Sequence, residues 1–433
     1  MVDFHVKKGL DLKLPGIPEG DPKCKEEPDR VALDLRGFPE VRFKSLVNEG
    51  DKVSLGQPLA FDRTCPQRQF VSPGGGYVKQ IERGKKRALL SLIIQREEKE
   101  AFFPHSIPNW KTATRETLVS FLCDVGFFAH IQERPFDHIG NPTHLPKSIF
   151  VKALETAPLV PSAERQVEGH EAAFEEGLFI LKRLTKGPVH LIHHRKSKEK
   201  AFTQAKGVEV HTVNGLHPSS HLSIFIQLLS PILDDKECVW TLSVLDVITL
   251  GSWFLTSRYF IDRLIAVAGP SAPKEALSLY RARLGVPLSH LVPLHLIPDS
   301  CSIVSGDPLM GHSLEKTGFL GFNHTVFSFL NHETKRRFLS FLRLKLPRSL
   351  SKRLWGEQRA IVDGTPYEAV MPLDLSTELL LKAVLVKDYE KADALGLLEV
   401  APEDFALPAY VCPSKVELVE IIKEGLLERA LLR

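Results

Sequence analysis

Residues 189–229, VHLIHHRKSKEKAFTQAKGVEVHTVNGLHPSSHLSIFIQLL, decide the fold of the middle of the chain. Val189 to His193 is a short apolar run that predicts a strand, and Val208 to Val213 predicts a second one beyond a charged stretch. From Ser220 to Leu229 the apolar residues change to helical spacing. Outward on the N-terminal side, Ile149 to Ala153 predicts another strand and His170 to Leu184 a helix. Strands alternating with helices predict a mostly parallel, Rossmann-like α/β sheet. On the other side, Cys238 to Thr256 approaches the length of a membrane span but carries Asp246 at its centre. A charge there is costly in lipid, so a buried strand followed by a helix is expected and no transmembrane helix.

Ligands of such sheets sit at the carboxyl ends of the strands. The loop Val213 to His221 (VNGLHPSSH) lies at such an end, with one Gly where a dinucleotide fingerprint needs three. Nucleotide binding is therefore not expected there. His217 and His221, four apart across the helix start, are candidate hydrogen-bond donors to a ligand or candidate metal ligands, and Phe225 is a candidate to pack on its ring. In the competing reading Ser219 or Ser220 caps the helix while both histidines face solvent or a partner. Among His190, His193 and His194, the first and last share a strand face and His193 points away. No third ligand or carboxylate is fixed nearby in the sequence, so no metal site is expected. No Gly-x-Ser-x-Gly elbow occurs anywhere in the chain.

The first hundred residues read as β, with turn signals at Gly9, Gly16, Gly20, Gly37, Gly50, Gly56 and Gly74 to Gly76. Asn48 to Leu59 and Val71 to Val78 look like the two halves of a lipoyl-type barrel-sandwich. The modifiable lysine of a biotin or lipoate carrier is missing from the hairpin tip, since Lys79 falls inside the outgoing strand. Gly74 to Gly76 leads into β-like sequence rather than a helix, which favours a turn over a phosphate-cradling loop. Thr112 to Cys123 restarts at helical spacing. Beyond Leu264 to Gly269, a strand, Ala276 to Leu284 predicts a short helix in a small β-grasp-like unit. The C-terminal block is helical, with Ser376 and Asp388 as caps, Gly396 as a stop and Ser414-x-x-Glu417 as a capping box. The expected units are 1–105 (barrel-sandwich), 106–268 (Rossmann-like), 269–330 (β-grasp-like) and 331–433 (helical): an α/β multidomain protein.

A chain of 433 residues is too long for one core and fits about three or four domains. Hydrophobic residues at 43% and charged residues at 25% fit a globular protein rather than a disordered one. A net charge of +3, from 56 basic and 53 acidic residues, is too balanced for a nucleic-acid footprint. The basic run 345–353, KLPRSLSKR, is either a solvated loop or a contact for anionic lipid or an acidic partner. Six cysteines without a CxxC exclude a zinc ribbon or a ferredoxin-type cluster run. Charges in MVDFHVKKGLDLKL stand where a signal peptide needs an apolar segment, so export is not expected.

Several stretches together carry a resemblance: Lys8 to Leu12, Asn48 to Val53 with Gly56 to Leu59, Arg134-Pro135-Phe136, Ile149 to Pro158, Val370 to Val386, and Ala394 to Lys415. In this order they resemble the NqrA family, the A subunits of the Na+-translocating NADH:quinone oxidoreductase. The resemblance implies a peripheral subunit on the cytoplasmic face of the bacterial inner membrane, one of six in a respiratory sodium pump. The complex passes electrons from NADH through flavins and iron-sulfur centres to ubiquinone. This chain is expected to bind none of those cofactors and to have no catalytic site of its own. Its expected partners are the other five subunits, above all the membrane-embedded quinone-side subunit, with ubiquinone shared at that interface near His217, His221 and Phe225. Related architectures, the C subunits of the Rnf complexes and the NADH-binding subunit of respiratory complex I, carry cysteine-ligated clusters. Here Cys412 has no second cysteine, histidine or acid within three positions, which predicts a packed thiol. The alternatives are a soluble nucleotide-binding oxidoreductase or an iron-sulfur-free relative of that Rnf protein.

Overall fold

A computed structural model describes residues 2–331 and 360–433; the basic run 345–353 lies outside the described residues. At the centre is a seven-stranded sheet. Its strands are β1 (Asp3–Val6), β2 (Gln132–Arg134), β3 (His138–Ile139), β4 (Ser148–Ala153), β5 (Val189–His194), β6 (Glu209–Gly215) and β7 (Val239–Ser243), in the order β1-β6-β5-β4-β7-β2-β3. The five strands from β1 to β7 in that order run parallel, and β2 and β3 close the edge antiparallel. The apolar runs read as strands are these strands, and Cys238 to Thr256 is β7 followed by a helix. Parallel strands buried on both faces need continuous apolar runs, which is why they were legible.

Helices α1 (Glu171–Leu184) and α3 (Val244–Thr256) cover one face of the sheet, and α2 (Leu222–Leu229) covers the other. The first face shares a continuous core with the barrel-sandwich, through residues such as Leu59, Phe70 and Leu92 on one side and Phe174, Leu181 and Ile248 on the other. The second face shares a core with the C-terminal helices, where Phe225 and Ile226 meet Leu380, Phe405 and Leu418. The α/β sheet is thus the middle layer, holding a β unit on one face and a helical unit on the other.

The barrel-sandwich consists of a four-stranded sheet (Arg30–Asp34, Leu89–Arg96, Gly76–Arg83, Lys52–Val53) and a three-stranded one (Phe43–Ser45, Pro58–Asp62, Cys65–Val71). Gly74 to Gly76 make a turn into a strand, and the Gly75 amide donates to Glu100 Oε1 at 2.6 Å, so that anion partner is a side chain of the chain itself. β1 lies in the α/β sheet instead, ahead of the barrel-sandwich.

A further sheet of six strands contains Asp262–Ala268, so it begins on the N-terminal side of the expected division at 268. Ala276 to Leu284, expected as a helix, is the strand Ser278–Arg283, paired antiparallel with Asp262–Ala268. Leu279 and Tyr280 bury into different cores on opposite faces. A strand buried on both faces shows adjacent apolar residues, which imitate one face of a helix. Arg283, buried, joins this sheet to the barrel-sandwich: Nε donates to Pro73 O at 3.0 Å, Nη1 to Glu27 at 2.8 Å, and Nη2 pairs with Glu100 at 2.7 Å. The Ser414–Glu417 capping box does not form. Ser414 Oγ donates to Ala360 O at 2.9 Å, and the last helix, Leu418–Leu431, starts after Glu417.

Candidate functional site

In the α/β sheet the chain passes from β4 outward to β5 and β6, then returns to place β7 on the other side of β4. The strand order reverses between β4 and β7, and a crevice forms at the carboxyl ends of strands where connections diverge in this way. A cavity of about 360 Å³ opens at that point. Lys152 reaches it from β4, Ser243 from β7, Arg134 from β2 and Asp246 from the first turn of α3. His324, ahead of the strand Val326–Asn331, and Glu403, from the C-terminal unit, close it.

Three cations and three carboxylates, Arg134, Lys152 and Arg263 with Asp137, Asp246 and Glu403, surround this cavity. Arg134 is 3% exposed; its Nε pairs with Asp137 at 3.1 Å, Nη1 donates to Ser223 Oγ at 3.2 Å, and Nη2 lies 3.7 Å from Glu403. Lys152 Nζ pairs with Glu155 at 3.0 Å, and the other Glu155 oxygen accepts the Thr156 and Ala157 amides at 2.9 Å each. Asp246 Oδ2 accepts the Ser243 amide at 2.7 Å and its hydroxyl at 2.6 Å, while Oδ1 meets His130 Nδ1 at 2.9 Å. His130 Nε2 continues to the Tyr259 hydroxyl at 3.3 Å.

Burial raises the Asp137 carboxyl above its ordinary value. It also works against the charge of Lys152, but Glu155 and Glu403 outweigh it and hold that ammonium above the usual lysine range. Asp246 stays below the usual carboxylate range because the His130 and Ser243 contacts overcome its burial. The wall is therefore a set of fixed charges, paired at Arg134, Lys152 and Asp246 and held by the Phe260 and Asp262 carbonyls at Arg263, and the Ser243 hydroxyl is engaged by Asp246. Such a wall can orient a polar ligand by hydrogen bonds; it does not present an activated nucleophile.

The sequence candidates stand behind this wall. His217 is 6% exposed and His221 5%, with ring centroids 5.1 Å apart, so the expectation that they face solvent fails. Asp404 of the C-terminal unit, far away in sequence, lies against His221, the Leu10 amide near the N-terminus donates to the His217 carbonyl at 2.8 Å, and among the described residues no side chain caps α2. His221 Nδ1 lies 3.0 Å from Asp404, whose other oxygen accepts the Ala401 amide at 2.8 Å. His217 Nδ1 lies 3.2 Å from Thr156 Oγ1, which meets Ser220 Oγ at 2.6 Å. Burial and the neighbouring His221 push His217 down to about 3. Against its own burial, His221 is lifted above its ordinary value by Glu403 and Asp404. Phe225 is fully buried, edge-on to Phe4 at 5.2 Å between centroids. The two histidines thus come together one layer behind Lys152 and Glu403, while the Phe225 ring is packed inside the core.

Arg134, Lys152, Asp246 and Glu403 are not among the candidates that the sequence offers. Two of them carry a usable signal: Lys152 interrupts the apolar strand SIFVKA, and Asp246 interrupts the apolar stretch 238–256. A charge in a run destined for burial marks a paired group. Cys412 is fully buried, with its Sγ 3.1 Å from the Tyr367 hydroxyl. Among the described residues, no helix is long and apolar enough to cross a membrane.

Known families and proteins match at both domain and chain level. The NqrA N-terminal barrel-sandwich hybrid domain matches residues 4–97, and the NqrA second alpha/beta domain matches residues 113–259. The A subunit of the Na(+)-translocating NADH-quinone reductase of Chlamydia pneumoniae is 35% identical over 458 residues, spanning 98% of this chain and 97% of its own. The proteins of the same name from Saccharophagus degradans and Marinomonas sp. are 33% and 32% identical, each over 98% of both chains. A solved NAD+-reducing [NiFe]-hydrogenase in the air-oxidized state aligns at 13% identity and TM-score 0.35 over 52% of this chain and 51% of the other, too slight a likeness to bear on the fold. Matched from end to end by these relatives and in two domains by its family descriptions, the chain belongs to the NqrA family, the A subunits of the Na(+)-translocating NADH-quinone reductases.

Proposed function

We propose that the chain works as the A subunit of a sodium-translocating NADH-quinone reductase, peripheral and on the cytoplasmic face of the membrane. The observation that carries this is the match over 98% of the chain to proteins of that name. In this reading the chain binds none of the flavins or iron-sulfur centres that act on the path from NADH to ubiquinone. Its partners are the other five subunits, chiefly the membrane-embedded quinone-side one. Ubiquinone approaches at their interface, and the charged cavity at the β4/β7 switch point is its contact on this chain. A ring carbonyl needs hydrogen-bond donors, and Arg134 and Lys152 supply them with charges already paired. His217 and His221 support that wall from behind through Thr156 and Asp404. The β-grasp-like reading of the unit that ends at 330, and the unit boundaries at 105 and 330, belong to the same proposal, while the division expected at 268 moves ahead of Asp262, whose strand is part of that unit's sheet.

The test uses the assembled complex carrying Lys152→Met. The expected result is ubiquinone turnover lowered at least about tenfold, as for loss of one charge-assisted hydrogen bond worth roughly 1.5–3 kcal/mol. NADH oxidation by an artificial acceptor should stay unchanged. Unaltered ubiquinone turnover would remove the cavity from the quinone path.

A further inference from the structure

At the opposite end of the sheet, the parallel pairing of β5 with β6 sets His190 directly beside Glu209 and carries His211 to the same face two residues on. His190 Nδ1 lies 3.1 Å from His211 Nε2 and 3.4 Å from Glu209 Oε2, and His211 Nε2 lies 3.9 Å from that same oxygen. A tetrahedral ion held by nitrogen and oxygen at about 2.0–2.2 Å has ligand-to-ligand edges of about 3.3–3.6 Å, close to all three separations. Both imidazoles are buried, at 3% and 2% exposure, while the Glu209 side chain is 60% exposed and leaves a fourth position open to water.

We propose that His190, Glu209 and His211 form a binding site for one divalent cation of the Zn2+ class, with water as the fourth ligand, cross-linking β5 to β6. Two imidazole nitrogens and one carboxylate are a donor set for Zn2+ and its neighbours rather than for Mg2+ or Ca2+. The rings are held in place by the aromatic packing of Phe150 on His190, with centroids 4.5 Å apart, and of Phe4 on His211 at 6.0 Å.

Among the described residues, two other groups of potential ligands lack this openness. Around Cys238, Glu133 already accepts from Trp240 Nε1 and from the Asn141 amide at 3.0 Å each, and His144 Nδ1 lies 2.7 Å from its other oxygen. His221 and Asp404 are bonded to each other, with Arg134 3.7 Å from the neighbouring Glu403. At the His190 site, among the described residues, the facing nitrogens have only each other and an exposed glutamate. From the sequence no third ligand could be placed near His190; the parallel register supplies two, from the Glu209-x-His211 pair on the next strand.

The experiment is a Co2+ titration of the purified, chelator-stripped full-length chain, followed in the visible range. The expected result is one equivalent of four- or five-coordinate Co2+ without a thiolate charge-transfer band, displaced by Zn2+. Glu209→Ala, at an exposed position that folding does not need, should weaken binding at least about tenfold, and His211→Asn should abolish the visible bands while the far-ultraviolet circular dichroism stays that of wild type. A stoichiometric site with a thiolate band, no stoichiometric binding at all, or binding unchanged by Glu209→Ala would each overturn the proposal.

Discussion

Gly251→Ala tests how the sheet is covered and how the cavity is held. A Cβ on Gly251 in α3 falls against the Ala173 carbonyl oxygen of α1, 2.7 Å from the Ala173 carbonyl carbon and 2.8 Å from the Gly177 amide nitrogen. Gly177 in turn faces Val247, so the two helices touch backbone to backbone at a glycine on each. Unstrained contacts between heavy atoms sit near 3.5–4.0 Å, so the helices must separate by well over ~1 Å to admit the methyl. No flexible side chain is there to yield. Overpacking costs about 1–3 kcal/mol in ordinary cores, and separation here also loosens Phe174, Leu181, Val247 and Ile248. Removing a helical glycine returns up to about 1 kcal/mol of helix propensity. The expected net loss is about 2 kcal/mol, read as a lower urea midpoint for the chain's main transition, with Leu255→Ala, 50% exposed on the same helix, as the control within about 0.5 kcal/mol. Because Asp246 sits in the first turn of α3, the shift should also disturb its bond to His130. A Gly251→Ala chain as stable as wild type, or more so, would refute the backbone contact.

Acid should destabilise the fold before ordinary carboxylate protonation does. Burial pushes both His217 and His324 down to about 3, against about 6.5 in an unfolded chain, so between these values the unfolded state binds more protons. Their contribution is complete above pH 6.5 and is lost as pH falls toward 3, at about 1.4 kcal/mol per pH unit for each. His221, raised when folded, works in the opposite sense, adding stability below 6.5 that disappears as pH rises through its folded value. Urea midpoints should therefore fall steeply from pH 6.5 to 4.5; a flat profile contradicts the buried, neutral histidines. Arg134→Met leaves Asp137 and Glu403 without their cation and should cost about 3–5 kcal/mol by denaturant unfolding, and a cost under 1 kcal/mol would deny the buried pairing. Cys412→Ser keeps a partner for the Tyr367 hydroxyl and should cost about 1–2 kcal/mol while leaving every redox spectrum of the complex intact; a vanished centre would make the thiol a ligand.

The sequence revealed what local apolar runs determine and missed what distant strands determine. β4, β5 and β7 were legible because parallel strands buried on both faces must be apolar throughout. The same physics made Ser278–Arg283 look helical, since its two buried faces put Leu279 and Tyr280 side by side. The loop that the sequence offers as a ligand site, Val213 to His221, follows β6. The cavity lies where the order reverses between β4 and β7, and strand order is set by crossovers that no local window contains. His221 could not be seen as buried because its partner, Asp404, is 183 residues away in the chain. Ser414 failed as a cap for the same reason: Ala360, outside the motif, offers its hydroxyl a carbonyl.

The central claim is that this chain is a required component of a sodium-translocating NADH-quinone reductase. The direct measurement is NADH-driven ubiquinone reduction and Na+ uptake in membrane vesicles from cells that lack this chain, before and after it is restored. Both activities should be absent without the chain and return together with it. Vesicles that reduce ubiquinone and take up Na+ at the full rate without it would contradict the account.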